Sequence, residues 1–250
     1  MFGRKEKQAI AALPPLHQQL LHDRALTVSL PPADWSPLLR SLAHHDDTVK
    51  RHHLPPRTTG LVVPLIAALL QDVGDDGYLG IRLDLRGSDQ PGKVGPAQEL
   101  APQGRVLKCT QHTEVDPWLA LEAKLADGSV LDLWVTDVVR VRKLRKRGSS
   151  GKIKYATKRK ATQRVRVRLA VPADRPVRAP AAGSPGWCRV TMTRKERRVV
   201  LEARAKYPKA NDEATWQLKT LLLVLGETFR WLPPQVGDGG EGDELAGAGA

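Results

Sequence analysis

The chain is poor in cysteine and in aromatic residues. Only Cys109 and Cys188 occur among 250 residues, and aromatic residues make up 4% of the sequence. Two cysteines cannot build a disulfide framework or a cysteine-rich zinc module, so we expect reduced thiols in a cytoplasmic protein. The core must rest on Leu, Val and Ala, and the six widely spaced tryptophans are expected to be core anchors.

Long hydrophobic runs are also missing. The longest, 61–70, has ten residues, which is about half of what a membrane-spanning helix needs. The charged stretch 1–8 precedes a short apolar run that prolines interrupt, unlike a secretory signal. We therefore expect a soluble protein that has no membrane partner.

Acidic residues are absent from the one stretch in which basic residues are concentrated. From Arg140 to Arg168 the chain has 14 Lys or Arg and no Asp or Glu. The remaining residues, 26 basic and 27 acidic, are nearly neutral, although the whole chain carries a formal charge of +13. The excess positive charge belongs to this one segment, which is therefore the main candidate for a binding surface.

Hydrophobic periodicity predicts an α+β fold, with an antiparallel sheet of about four to six strands within 78–171 and helices at both ends. Thr193-Arg-Lys-Glu196 matches a capping box, which predicts a helix from there to about Lys206. Five segments are expected: helical (1–58), sheet-forming (59–171), an Ala/Pro-rich linker (172–186), helical (187–234) and an acidic, Gly-rich, disordered tail (235–250).

The clearest hairpin signal joins two alternating stretches. Residues 118–125 alternate apolar and polar, Asp127-Gly128 is a favoured two-residue turn, and 130–142 alternates again. Residues 164–171 alternate without a fault. These patterns predict neighbouring antiparallel strands.

The basic segment is predicted to form a protruding two-stranded β-ribbon over 138–169. Alternation places Val139 and Val141 on one face, and if the strands pair, five arginines share the opposite one: Arg140, Arg142, Arg164, Arg166 and Arg168. Like charges facing each other destabilise a strand pair, so an external polyanion is expected to neutralise them. The tip, 144–163, has few apolar residues and is expected to be mobile.

Nucleic acid, DNA or RNA, is the polyanion that this pattern favours. A basic ribbon can follow a phosphate backbone, and Tyr155 is the only aromatic residue in its tip, so we expect largely sequence-independent binding with no cofactor and no catalytic step. The predicted contact residues are Arg140, Arg142, Lys143, Arg145, Lys146, Arg147, Lys152, Lys154, Tyr155, Lys158, Arg159, Lys160, Arg164, Arg166 and Arg168.

The sequence is also compatible with two functions other than simple nucleic-acid binding. Glu122-Ala-Lys124 on one predicted strand and Asp84 on another resemble the Asp…Glu-x-Lys pattern of PD-(D/E)xK nucleases. The resemblance covers these three residues and implies two carboxylates that hold Mg²⁺ and a lysine that assists the attacking water. The other alternative is an assembly factor whose ribbon docks an acidic protein.

Two smaller clusters complete the sequence-based predictions. Histidine is a common zinc or nickel ligand, so a metal site is an alternative at the four closely spaced histidines His44, His45, His52 and His53. The acidic tail could fold back onto the basic tip through Asp238, Glu241, Asp243 and Glu244. The abundance of Gly and Ala fits a GC-rich bacterial genome.

Overall fold

A computed structural model describes residues 2–50, 52–208 and 213–233. The predicted acidic tail lies outside these residues. No helix within the described ranges is long and apolar enough to cross a membrane. The helices are α1 (Phe2–Ala11), α2 (Pro15–Asp23), α3 (Pro32–Ala43), α4 (His45–Thr48), α5 (Val63–Leu69) and α6 (Ala214–Phe229), and a π-helical turn (Thr58–Val62) leads into α5.

The strands form one antiparallel sheet, in the order β1-β2-β4-β5-β6-β8-β7, with β3 beside β4. The predicted α+β class, with helices towards both ends of the chain, is confirmed, although the sheet has eight strands in the described residues rather than four to six. The strands are β1 (Ala25–Leu30), β2 (Leu79–Asp84), β3 (Gln98–Leu100), β4 (Val106–Lys124), β5 (Val130–Arg147), β6 (Ile153–Pro172), β7 (Cys188–Arg194) and β8 (Arg198–Pro208).

One face of the sheet, here the inner face, is apolar. A row of buried side chains crosses five neighbouring strands, formed by Ile81, Leu121, Leu133, Val167 and Ala203. Buried residues of α2, α3, α5 and α6 belong to the same core cluster. Each larger side chain that is fully buried here contributes about 1.5–3 kcal/mol. The period-2 pattern and these helices together determine which face is covered.

The opposite face, here the outer face, is polar. The adjacent row across the same strands consists of Arg82, Ala120, Trp134, Arg166 and Arg204, all of them exposed or half-buried. Successive side chains of a strand point to opposite faces, so one row is polar where its neighbour is apolar. The outer face is therefore the broad surface of the sheet on which a ligand can lie.

The helix predicted from Thr193 to about Lys206 was wrong, because this segment forms the hairpin of β7 and β8. Period-2 alternation in β8 buries Val199, Leu201 and Ala203 on the inner face. A helix would spread these side chains around its surface, so burial against the sheet outweighs the local capping signal.

Strands β4, β5 and β6 continue beyond their neighbours. Strand β2 pairs with β4 only through 119–123, and β8 pairs with β6 only from Thr162 onward. Past these limits the three strands form an extension, here the arm, made of 106–115, 139–147 and 153–161. The two-stranded ribbon expected from the sequence is thus corrected to a sheet three strands wide, with short β3 at its side.

The tip of the arm is regular. Strand β5 runs to Arg147 and β6 starts at Ile153, so both strands extend into 144–163, the stretch that the sequence predicts to be mobile. Between them the chain turns tightly, and the backbone N–H of Gly148 donates to the carbonyl of Lys152 at 2.7 Å. Gly151 has φ +78°, a left-handed conformation that glycine adopts without strain. Backbone hydrogen bonds between β5 and β6 therefore hold the tip together, although it has few apolar side chains.

Arg57 joins the helical segments to the sheet through a group of polar contacts. Arg57 donates from Nη2 to Asp137 Oδ2 at 2.5 Å and from Nε to Gln217 Oε1 at 3.1 Å. Its guanidinium also lies 4.3 Å from the centre of the Trp118 ring. Gln163 Nε2 donates to the other Asp137 oxygen at 3.1 Å. These contacts tie the N-terminal segment, β5, β6 and α6 together at the base of the arm.

Candidate nucleic-acid interface

Basic residues face one another across the strands of the outer face. Directly opposed side chains have Cβ atoms about 5 Å apart, and like charges at this distance destabilise the pairing. The fold retains this repulsion in the arm, where 139–147 and 153–161 contain no carboxylate. Six opposed pairs are basic on both sides: Arg140–Lys160, Arg142–Lys158, Lys146–Lys154, Arg164–Lys206, Arg166–Arg204 and Arg189–Arg204.

Most basic residues of 140–168 form no ion pair with any residue that the structure describes. Three are paired with carboxylates: Arg159 with Glu114 at 2.6 Å, Arg166 with Glu202 at 2.9 Å and Arg168 with Asp132 at 2.8 Å. The other eleven have no carboxylate partner among the described residues: Arg140, Arg142, Lys143, Arg145, Lys146, Arg147, Lys152, Lys154, Lys158, Lys160 and Arg164. Their charges remain available to an external anion.

The five arginines expected to share a face do lie together on the outer face, but they do not oppose one another. The β5–β6 register places lysines opposite the two β5 arginines. Opposite the three β6 arginines it places Thr136, Trp134 and Asp132. The position of the tight turn at the tip determines this register, which alternation alone leaves open.

The reverse side of the arm is basic as well. Arg145 lies opposite Lys108 on β4 and Tyr155 on β6. These residues and Lys143 help to line a cavity of about 350 Å³. The Tyr155 side chain is 79% exposed. Both sides of the arm can therefore contact an anion, but only the outer face continues without interruption into the rest of the sheet.

An open groove of about 810 Å³ lies on the outer face beyond the arm. The groove, here the tryptophan groove, is lined by two aromatic and five basic side chains, namely Trp134, Trp187, Arg164, Arg166, Arg189, Arg204 and Lys206. Sequence reasoning placed all tryptophans in the core. That is correct for Trp35 and Trp118, but Trp187 is 40% exposed. The alternation of 130–142 by itself predicts that Trp134 points to the outer face.

Two charged side chains, Arg166 and Glu202, hold Trp134 in place. The Arg166 guanidinium lies 4.9 Å from the centre of its ring. Glu202 accepts from Arg166 Nε at 2.9 Å and from Nη2 at 3.1 Å, which fixes the guanidinium plane. Hydrogen bonds from Arg166 and Arg204 lower the pKa of Glu202, so this carboxylate stays ionised well below neutral pH.

Trp187 is held by a row of aromatic rings. Its ring centre lies 6.0 Å from that of Tyr207, with the planes tilted by 37°. Tyr207 in turn meets Trp216 edge-on at 6.1 Å. Aromatic pairs favour such offset or edge-to-face geometry. The exposed indole therefore has a supported position at the wall of the groove.

Asp84, a member of the predicted nuclease set, is neutralised by basic neighbours. It accepts from Arg86 at 2.9 and 2.8 Å and pairs with Lys93 at 2.9 Å. The hydrogen bonds from Arg86 and then Lys93 hold its pKa well below the usual range. Glu122 lies opposite Gly80 of β2. Gly80 is four residues from Asp84 along that strand, which is a distance of about 13 Å. The structure does not bring the two carboxylates together.

The other two members of that set also have partners of their own. Glu122 accepts from the hydroxyl of Tyr78, and this bond raises the pKa of the tyrosine. Lys124 donates to Asp76 at 2.5 Å. All three residues lie on the outer side of the sheet, but each contacts a different neighbour, so they do not form a shared magnesium site here.

The four histidines proposed as metal ligands point to different partners. His44 donates to the carbonyl of Arg40 at 2.9 Å, while exposed His53 lies 3.6 Å from Asp46. Within the described ranges, no group of three or more His, Cys, Asp or Glu side chains is placed to hold a metal ion. The four histidines are close in sequence because two lie at the junction of α3 and α4 and two lie in the loop after α4.

His45 instead belongs to a buried chain of hydrogen bonds. Its Nε2 lies 2.6 Å from the carbonyl of His52, which can only accept, so this nitrogen donates. Its Nδ1 then accepts from His17 Nε2 at 2.9 Å, and His17 Nδ1 accepts from Ser41 at 2.7 Å. Burial and then the neighbouring His45 lower the pKa of His17 to about 4.

Carboxylates also gather at the base of the arm, a feature that no sequence spacing indicated. Buried Asp116 pairs with Lys93 at 2.6 Å, and burial raises its pKa. Glu114, also buried, accepts from Ser88 at 2.6 Å and from Arg159 at the same distance. These carboxylates are satisfied by neighbouring donors, which fits a role in orienting the arm.

The outer face can bind an extended anion. Its basic residues on β6 extend from Lys154 to Arg166, which are twelve residue steps apart, or about 40 Å. The arm supplies unpaired cations, and the tryptophan groove adds aromatic surface at the other end. Comparisons with protein-family models, curated proteins and solved structures find no match to this chain.

Proposed function

We propose that the protein binds nucleic acid through its outer face, largely independently of sequence. The observation that carries the proposal is the set of six opposed basic pairs on one face of the sheet. Such pairs cost folding free energy where no carboxylate neutralises them, as Glu202 does for Arg166 and Arg204, and a bound polyanion removes that cost. Phosphate groups, which dominate the affinity of proteins for nucleic acids, provide the required charge.

The dimensions of the face support an extended ligand. Successive phosphates of a B-form strand are about 3.4 Å apart along the axis, so about 40 Å accommodates roughly twelve nucleotides. The predicted contact residues on the outer face, apart from Arg168, which pairs with Asp132, form the main track: Arg140, Arg142, Lys146, Lys154, Lys158, Lys160, Arg164 and Arg166. The remaining basic residues on the reverse side of the arm provide secondary contacts.

The test is binding over a salt series with a matched pair of variants. The first replaces Arg140, Arg142, Lys158 and Lys160 by Gln. The control replaces four exposed basic residues away from the arm, Arg40, Arg194, Lys195 and Arg197, and so changes the net charge equally. Each lost phosphate contact lowers the slope of log K against log salt by about 0.7 to 0.9.

The proposal predicts that the outer-face variant loses about three units of slope, while the control keeps the wild-type slope. Equal losses in both variants would mean that only net charge matters, which contradicts a defined interface. Absence of binding to DNA and RNA at low salt would also overturn the proposal. In that case, salt-sensitive binding of an acidic protein would support the assembly-factor alternative.

The setting of this activity is part of the proposal. Cys109 and Cys188 are both free and buried, which fits a reducing compartment. We therefore place the protein in the cytoplasm, and its Gly- and Ala-rich composition favours a bacterial source. Alkylation of the two thiols in freshly lysed cells, without reductant, tests the compartment.

A further inference from the structure

The tryptophan groove has a property that phosphate binding does not require. A site for phosphate alone needs positive charge, yet Trp134 and Trp187 both line this groove. Exposed large aromatics are costly to keep in contact with water, and an exposed indole within a concave basic surface is typical of ligand contact. A ligand that has both anionic groups and flat apolar groups would therefore fit the groove.

The two indoles are fixed before any ligand arrives. Trp187 rests against Tyr207, and Trp134 is held under the Arg166 guanidinium. Trp134 lies on β5 and Trp187 directly precedes β7, three strand positions away, which is about 14 Å. This separation excludes one planar group sandwiched by both rings. It allows two separate stacking positions along one bound chain, one on the indole of Trp187 and one on the Arg166 guanidinium that covers Trp134.

Positive charge lies between the two rings. Arg164 and Lys206 oppose each other on β6 and β8, and Arg189 lies on β7. None of these three has a carboxylate partner within residues 2–50, 52–208 and 213–233. The phosphates of the chain segment between two stacked bases would meet these side chains. Stacking on sheet-borne aromatics with basic residues between them is a general way to hold single strands.

We infer that the tryptophan groove binds unpaired nucleobases, so that the preferred ligand is single-stranded DNA or RNA. This inference rests on the proposed function and names its ligand class. Bases inside a duplex stack on each other and cannot offer their faces to a side chain. The arm contacts the backbone of the same strand, and the groove accepts bases of any type, because every base has a flat aromatic face.

The test compares two ligands that have the same phosphates. One is a single strand of about twelve thymidines, and the other is an abasic strand of equal length. The wild type is expected to bind the thymidine strand at least about fivefold more tightly, since each stacked base contributes measurably. Trp187→Ala is expected to reduce this preference by the contribution of one stacked base while leaving affinity for the abasic strand unchanged. Trp187→Phe is expected to retain it.

Thermal unfolding of each variant separates lost stacking from lost folding. Trp134→Leu provides an independent test on the opposite wall, with the same expected loss of base preference. Equal wild-type affinity for both strands, with a steep salt slope, would overturn the inference and leave the proposed function intact. Tighter binding of a duplex of equal length, or of heparin, would also overturn it. No binding of any strand would overturn both.

Discussion

Arg140 on β5 lies directly opposite Lys160 on β6, on the exposed outer face of the sheet. Neither side chain has a carboxylate partner in the part of the chain that the structure describes. A sheet optimised only for stability would place an acidic residue at one of these positions. This pair therefore links the stability of the fold to the anion that the face is proposed to bind.

Replacing Lys160 with Glu is expected to change stability and binding in opposite directions. The substitution turns a repulsive cross-strand pair into an attractive one and should stabilise the free protein by about 0.5 kcal/mol. It also removes a phosphate contact and introduces a negative charge, so affinity for nucleic acid should fall. Urea unfolding and a binding titration measure the two effects. Lys195→Glu, at the β7–β8 turn, is the control and should leave affinity nearly unchanged.

Replacing Glu202 with Gln is expected to tighten binding. Glu202 neutralises Arg166 and Arg204 at the tryptophan groove, and loss of its charge leaves both arginines free for phosphate. Exposed pairs of this kind are worth about 0.2–1 kcal/mol, so affinity at low salt should rise by up to about fivefold. The matched variant is Glu227→Gln on α6, which breaks a pair with Arg230 elsewhere. Weaker binding by the Glu202 variant would contradict the assigned face.

Replacing Arg57 with Met is expected to destabilise the protein by about 3 kcal/mol. The ion pair with Asp137 is buried, and removal of one partner leaves a desolvated carboxylate with fewer donors. Urea unfolding at pH 7 measures the loss. The double variant with Asp137→Asn should recover part of it, because the neutral amide is cheaper to bury. A double variant less stable than Arg57→Met would argue against this account.

Acidification is expected to destabilise the fold through His17. The unfolded chain binds a proton at this residue near pH 6.5, whereas the folded protein does so only near pH 4. More protons bind to the unfolded state between these values, so stability falls as pH drops from 6.5 to 4, by up to about 3 kcal/mol. Thermal melts across this range measure the slope.

The matched histidine variants identify the source of that slope. His17→Gln removes the buried titrating group and should flatten the dependence between pH 6.5 and 4. His53 is exposed on the surface, and His53→Gln should keep the wild-type slope. An unchanged slope in the His17 variant would assign the effect to other groups.

Alternation predicted the strands well where it was continuous. The hairpin turns at Asp127-Gly128, but through a three-residue loop, 126–128, in place of the predicted two-residue turn: Leu125 bonds to Ser129, and Gly128 has φ +77°. Residues 164–171 form a strand as predicted. The same alternation is present in β8, where the capping box at Thr193–Glu196 favours a helix instead. Local capping contributes about 1 kcal/mol, whereas burial of several β8 side chains contributes more.

The candidate site was only partly accessible from the sequence. The basic stretch was visible as composition, and the outward direction of its arginines followed from period 2. Lys206, Arg189 and Trp187 were not assigned to it, because they lie far along the chain and reach the groove only through the strand order β6-β8-β7. No local pattern encodes that order.

The sequence by itself determined the alternating faces of the strands and the concentration of positive charge in one hairpin, since both are properties of neighbouring residues. Only the tertiary structure decided that Arg140 opposes Lys160, that Arg166 covers Trp134, and that β4 widens the ribbon into an arm. These relationships depend on turn lengths, register and strand order. The free energy of burying the whole inner face selects them, and no single segment carries that information.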